Sequence, residues 1–137
     1  MKKTLLLIGV LALLFACTNS KKVIYNEDES QIFFGCKGGF TNSSMEYVIN
    51  GDRNIFKIKN DSTIFITEIS KKTFNEIEKM IDNSDFKNLK INKAGNMTYH
   101  ITVKNKEFTN TVKWSEHEDK SINDLYNKLL TTLKTSK

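Results

Sequence analysis

Met97-Thr98-Tyr99-His100-Ile101-Thr102-Val103-Lys104-Asn105-Lys106-Glu107-Phe108-Thr109-Asn110-Thr111-Val112-Lys113-Trp114 is the stretch whose reading decides the fold. Apolar and polar residues alternate on both sides of Asn105-Lys106. Strict alternation marks strands with one buried and one wet face. A two-residue turn at Asn105-Lys106 predicts an antiparallel hairpin. Its apolar face sets Val103 against Phe108, Tyr99 against Val112 and Met97 against Trp114. Its polar face sets Thr102 against Thr109, His100 against Thr111 and Lys104 against Glu107. Asn110, opposite Ile101, is the one polar residue on the apolar face.

On the C-terminal side, Ser115 to Lys120 reads as a charged loop. Ile122, Leu125, Tyr126, Leu129, Leu130 and Leu133 then recur at helical spacing, and Ser121 with Asp124 resembles a capping box with Asp in place of Glu. On the N-terminal side, Phe74, Ile77 and Ile81 share one helical face. Ser70 can cap that helix, with Thr73 and Glu76 as a competing capping box. Phe86 and Leu89 follow it and are expected to pack back on the core.

Four strands precede that helix: Gln31 to Phe34, Ser44 to Asn50, Ile55 to Lys59 and Thr63 to Ile69. Gly35-Cys36-Lys37-Gly38-Gly39 is expected to break the first, and Gly51-Asp52 to close the second. Asn60-Asp61 reads as a hairpin turn that sets Phe56 against Phe65. The order β-β-β-β-α-β-β-α predicts an α+β fold, with an antiparallel sheet of five to six strands and two helices packed on one face.

The chain has 137 residues, a net charge of +5 and no proline. That length holds one domain, read here over residues 31–137. With 39% hydrophobic and 27% charged residues, it has too much apolar material for a wholly disordered chain. Two cysteines and two histidines exclude a disulfide scaffold and limit metal chemistry.

Residues Met1 to Cys17 read MKKTLLLIGVLALLFAC. Lys2 and Lys3 precede an apolar run from Leu5 to Ala16, too short to span a bilayer, which takes about 20 residues. Its length and flanks are those of a secretory signal, expected over residues 1–16. Leu14-Phe15-Ala16-Cys17 resembles the lipobox of bacterial lipoproteins, with Phe15 in place of the usual small residue. The resemblance implies cleavage before Cys17 and a diacylglycerol on its thiol. It also implies a lipid-anchored protein of the cell envelope, in the outer rather than the inner membrane, because Thr18 and not aspartate follows the cysteine. An ordinary secretory signal ending near Ala16 is the alternative. Residues 17–30 then form the lipidated cysteine and a polar tether, whose 13 residues after Cys17 span on the order of 20 Å. Without Lys2 and Lys3 the net charge falls to +3, which does not suggest nucleic acid as a partner.

No nucleophile, base and acid stand at a catalytic spacing, so no enzyme, cofactor or metal is expected. Cys36 reads as a buried small hydrophobe or idle thiol, or else as a reactive or partner-bridging cysteine. His100 reads as a surface histidine on a polar strand face, and His117 as part of a solvated loop. Gly38-Gly39 lacks the Lys-Ser/Thr that a phosphate loop requires. It reads either as a plain turn or as a glycine loop that presents Phe40 to a partner.

Gly38-Gly39-Phe40 after a first strand, followed by a helix, a Tyr-bearing hairpin and a C-terminal helix, resembles emfourin, a bacterial inhibitor of thermolysin-like metalloproteases. The resemblance covers about Ile32 to Leu133. Tyr99-His100-Ile101-Thr102-Val103 matches its aromatic-x-apolar-x-apolar strand, while Thr41-Asn42 replaces the usual Ala-Gly after the phenylalanine. It implies that Gly38, Gly39 and Phe40 enter a protease cleft. The expectation from the residues is therefore a non-catalytic binding domain, for an envelope protein or a protease. Nine phenylalanines in so short a chain favour Phe40 in the core.

Overall fold

The computed structural model describes residues 29–40, 42–60, 62–116 and 119–134. Six strands form one antiparallel sheet: β1 (Gln31–Gly38), β2 (Ser43–Ile49), β3 (Asn54–Lys59), β4 (Ser62–Glu68), β5 (Met97–Lys104) and β6 (Thr109–Trp114). Helix α1 (Lys71–Asn83) and a 3₁₀ turn (Phe86–Asn88) separate β4 from β5, and helix α2 (Lys120–Thr132) follows β6. The spatial order is β4-β3-β2-β1-β5-β6. The α+β class, strand number and element order expected from the sequence are all present.

The core lies between the sheet and the two helices. Ile32, Phe34, Ile49, Ile55, Ile101 and Val112 come from the strands, and Phe74, Ile77, Ile122, Leu125 and Leu129 from the helices. Each helix follows its apolar stripe: Phe74, Ile77 and Ile81 are buried on α1, and Ile122, Leu125, Tyr126 and Leu129 on α2. Ser70 caps α1 as expected, its hydroxyl accepting from the Thr73 amide at 3.1 Å. Phe86 is buried and Leu89 packs against the core.

The far side of the sheet is not polar throughout. Phe33, Val48, Phe56 and Phe65 form one row across β1 to β4, and Val48 and Phe56 are fully buried. Phe56 and Phe65 pair as expected, edge to face, with ring centroids 5.7 Å apart.

Four expectations change. First, β1 does not end at Phe34; it runs through Gly35 to Gly38. β2 comes close at Gly35, since a Cβ there would lie 2.0 Å from the Met45 carbonyl oxygen. Glycine in this strand permits a close approach and is not a break. Second, the β5–β6 register slides by two residues. Tyr99 faces Trp114, Ile101 faces Val112 and Thr102 faces Thr111. The loop is longer than the two-residue turn because the Asn105 side chain accepts from the amides of Glu107 and Phe108, both at 2.9 Å. A slide of two preserves the faces, so the core side is unchanged. Third, Asp119 and not Ser121 caps α2, its carboxylate accepting from the Ser121 amide at 2.8 Å. Fourth, Asn110 faces Val103 instead of Ile101 and is not a misfit. It remains on the core side and bonds to main-chain carbonyls there.

Candidate functional site

The strands β1 and β2 meet in a turn at the end of the sheet. Gly38 and Gly39 take φ of +113° and +77°, and Asn42 takes +49°. A Cβ on Gly38 would lie 2.2 Å from the Asn96 carbonyl oxygen. Glycine alone tolerates both that conformation and that approach. The turn is pinned from two directions: the Gly39 amide donates to Asn96 O at 2.7 Å, and the Asn42 amide donates to Gly39 O at 3.0 Å.

Phe40 stands at this turn and is fully exposed. The expectation that it belongs to the core is therefore overturned. The cause is the length of β1: a strand that continues to Gly38 carries residue 40 past the sheet end. Met45, on the same hairpin, is half exposed. An exposed aromatic on a backbone held by two left-handed glycines is pre-organised, so little conformational entropy is lost when it is covered.

Cys36 is a free thiol among the described residues and is buried, between Met45 and Tyr99 in register, on the helix side of the sheet. A buried thiol in that position packs as a small hydrophobe and does not reach a partner. Cys17 and His117 lie outside the described residues. Among the described residues, no three His, Cys, Asp or Glu side chains converge as a metal site. No helix among them is long and apolar enough to cross a membrane.

His100 is not a solvated surface residue. It lies on the sheet face away from the helices but is only 9% exposed. It shares a cleft of about 570 Å³ with Lys37, Glu46 and Lys113, and residues Asn92, Ala94 and Gly95 wall one side. Burial pushes the His100 imidazole below its ordinary pKa; Glu46 opposes this, and Lys37 and Lys113 add to it. Sequence reading missed this cluster because its members come from four strands whose order was not legible. The one signal was Gly35, a glycine inside a strand, read there as a break.

No protein-family pattern matches the chain, and no curated protein matches it significantly.

Proposed function

We propose that this chain is a lipid-anchored protein of the cell envelope whose domain binds a protein partner through the Phe40 turn and has no catalysis of its own. One observation carries the binding reading: Phe40 is fully exposed on a turn whose backbone is fixed by Gly38, Gly39 and the bond to Asn96. Aromatic residues dominate the energy of many interfaces, because they cover much area with few rotatable bonds. The anchor rests on Leu14-Phe15-Ala16-Cys17. Two acyl chains hold a protein stably, each buried methylene contributing about 0.8 kcal/mol.

A narrower reading has the same support. A fixed turn with bare glycine backbone and an exposed phenylalanine suits insertion into a cleft, and the partner is then a thermolysin-like metalloprotease.

Two measurements test these readings. Metabolic labelling with palmitate tags the wild-type chain, and Cys17→Ser abolishes the label; a labelled Cys17→Ser variant rejects the anchor. A photoreactive phenylalanine analogue at position 40, in cells, cross-links to a discrete envelope protein. The same analogue at the exposed Lys87 gives no such product. Equal cross-linking at both positions rejects the turn as the binding element. Failure of the wild-type chain to slow any thermolysin-like protease at large molar excess rejects the inhibitor reading alone.

A further inference from the structure

On the sheet face away from the helices, Glu46, Gly35, His100 and Lys113 form one row across β2, β1, β5 and β6. Gly35 puts no side chain into that row. Glu46 and His100, on the strands either side of it, therefore reach over β1 toward each other. One Glu46 oxygen lies 3.7 Å from His100 Nε2, and the other lies 3.7 Å from Lys37 Nζ. Both distances permit attraction, but neither is a hydrogen bond.

His100 is thus nine-tenths buried and lines the cleft, and its one polar side-chain contact among the described residues is the 3.7 Å approach to Glu46. Polar groups this well covered are normally hydrogen-bonded, so an imidazole without such a bond at the wall of a cleft marks a place for a ligand. The Lys113 side chain lines the same cleft and makes no ion pair within the described residues. Thr102 and Thr111 add a hydroxyl pair, joined at 2.9 Å. Thr98 is occupied, since its hydroxyl bonds the main chain of Gly95 on both sides.

The geometry points to a binding site for a carboxylate group, held between His100 and Lys113 with Thr102 and Thr111 beside it. Two cations, a donor-capable imidazole and a single acid give the cleft a positive excess. The site already accommodates one carboxylate, that of Glu46. Among the described residues its lining holds no arginine, whose fork phosphate sites often use. The cleft is several times larger than a carboxylate, so the group arrives on a larger body. That body is either a small organic acid or an acidic side chain of a protein.

Binding takes up a proton. His100 faces Lys37 of β1, Glu46 of β2 and Lys113 of β6, and in the free protein burial and the two lysines hold its pKa below the ordinary imidazole value, against the pull of Glu46. A bound carboxylate favours imidazolium and raises its pKa. Affinity is therefore full below the free pKa of His100 and is lost as the pH rises through the bound one.

The test uses the full chain in detergent micelles and follows the His100 imidazole signals by NMR, assigned with His100→Gln. Succinate is the small-acid probe and tetraglutamate the peptide probe. A saturable shift of the His100 signals is expected from at least one of them. The affinity should be higher at pH 6 than at pH 8, and Lys113→Gln should weaken it about tenfold. Saturation by succinate assigns the site to small acids, and saturation by tetraglutamate alone assigns it to an acidic protein. Lys113→Gln lies on an exposed strand position and should leave the melting temperature unchanged, so loss of the shift is not unfolding. Phe40→Ala should leave this binding intact, which separates it from the turn-mediated contact. No saturable shift by either probe at millimolar concentration overturns the proposal, as does an equal response to chloride and sulfate.

Discussion

The Asn110 side chain holds the main chain at Phe86. Its amide donates to the Phe86 carbonyl at 2.7 Å and to the Leu89 carbonyl at 2.8 Å. A residue of β6 thereby ties down the segment that leaves α1 and returns to the sheet. Asn110→Ala removes both bonds and leaves the Phe86 carbonyl with only the 3.3 Å bond from the Leu89 amide, and the Leu89 carbonyl without the Asn110 donor. A loss of about 1–3 kcal/mol is expected. Urea unfolding of the two chains measures it, and a change within experimental error would show that water replaces the amide without cost.

Gly38→Ala tests the turn. The new Cβ meets the Asn96 carbonyl oxygen at 2.2 Å, and φ is +113°. Backbone must shift on one side or the other, so destabilisation on the order of 1–3 kcal/mol is expected. Gly39→Ala meets only the tip of Met97, at 3.2 Å, and should cost less, leaving chiefly the strain of a positive φ. Thermal melts that rank the two variants in the opposite order would contradict this account.

Most of the architecture was legible because local pattern and tertiary placement agree in this chain. The stripes Phe74-Ile77-Ile81 and Ile122-Leu125-Leu129 name the helices and their buried faces without help. The pairing of Phe56 with Phe65 followed from turn length alone. The β5–β6 register did not, because the Asn105 side chain bonds two amides and builds a longer loop. Spacing carries no trace of a side chain that caps a turn. The doublets Val48-Ile49 and Ile55-Phe56 are buried on both sheet faces, which a reading of strands with one wet face did not anticipate. Gly35 was misread because a glycine that ends a strand and one that lets a neighbour close in look alike in sequence. With that glycine misplaced, the row from Glu46 to Lys113 could not be seen.

The contact between the helices gives a pH prediction. Lys128 of α2 donates to Glu76 of α1 at 2.6 Å. That bond and the lysine's charge hold the Glu76 carboxyl below its ordinary pKa of 4.5. A lowered native pKa stabilises the fold above the unfolded value, and the contribution is lost as the pH falls through the native one. Lys128→Met should therefore be less stable than wild type near pH 7, with the gap closing toward pH 3. Denaturant midpoints across that range check it. A gap constant with pH would mean that the lysine acts through packing alone.

Leu129 and Leu130 are adjacent but unequal. Leu129 is fully buried, whereas Leu130 is partly buried at the margin of the core. Leu129→Ala opens a cavity beneath the sheet and should cost about 2–5 kcal/mol. Leu130→Ala relinquishes less area, and the neighbours can relax into solvent; roughly 1 kcal/mol is expected. Equal losses in urea melts would place the α2 axis at a different rotation.

Phe40→Ala separates a binding role from a structural one. A buried phenylalanine truncated to alanine costs about 3–5 kcal/mol. Phe40 is fully exposed and contributes nothing of that kind. The turn beneath it is held by main-chain bonds of Gly39 and Asn42, which the substitution leaves in place. The melting temperature should thus be unchanged. Partner binding should fall by at least tenfold, since losing a central aromatic anchor costs about 2 kcal/mol or more. The pair of results matters more than either alone. Unchanged stability with lost cross-linking or lost protease inhibition places the phenylalanine in the interface. Unchanged stability with unchanged binding makes it an ordinary exposed side chain and rejects the turn as the recognition element. A marked drop in melting temperature would show that something covers the ring in solution, which contradicts the exposure on which the binding reading rests.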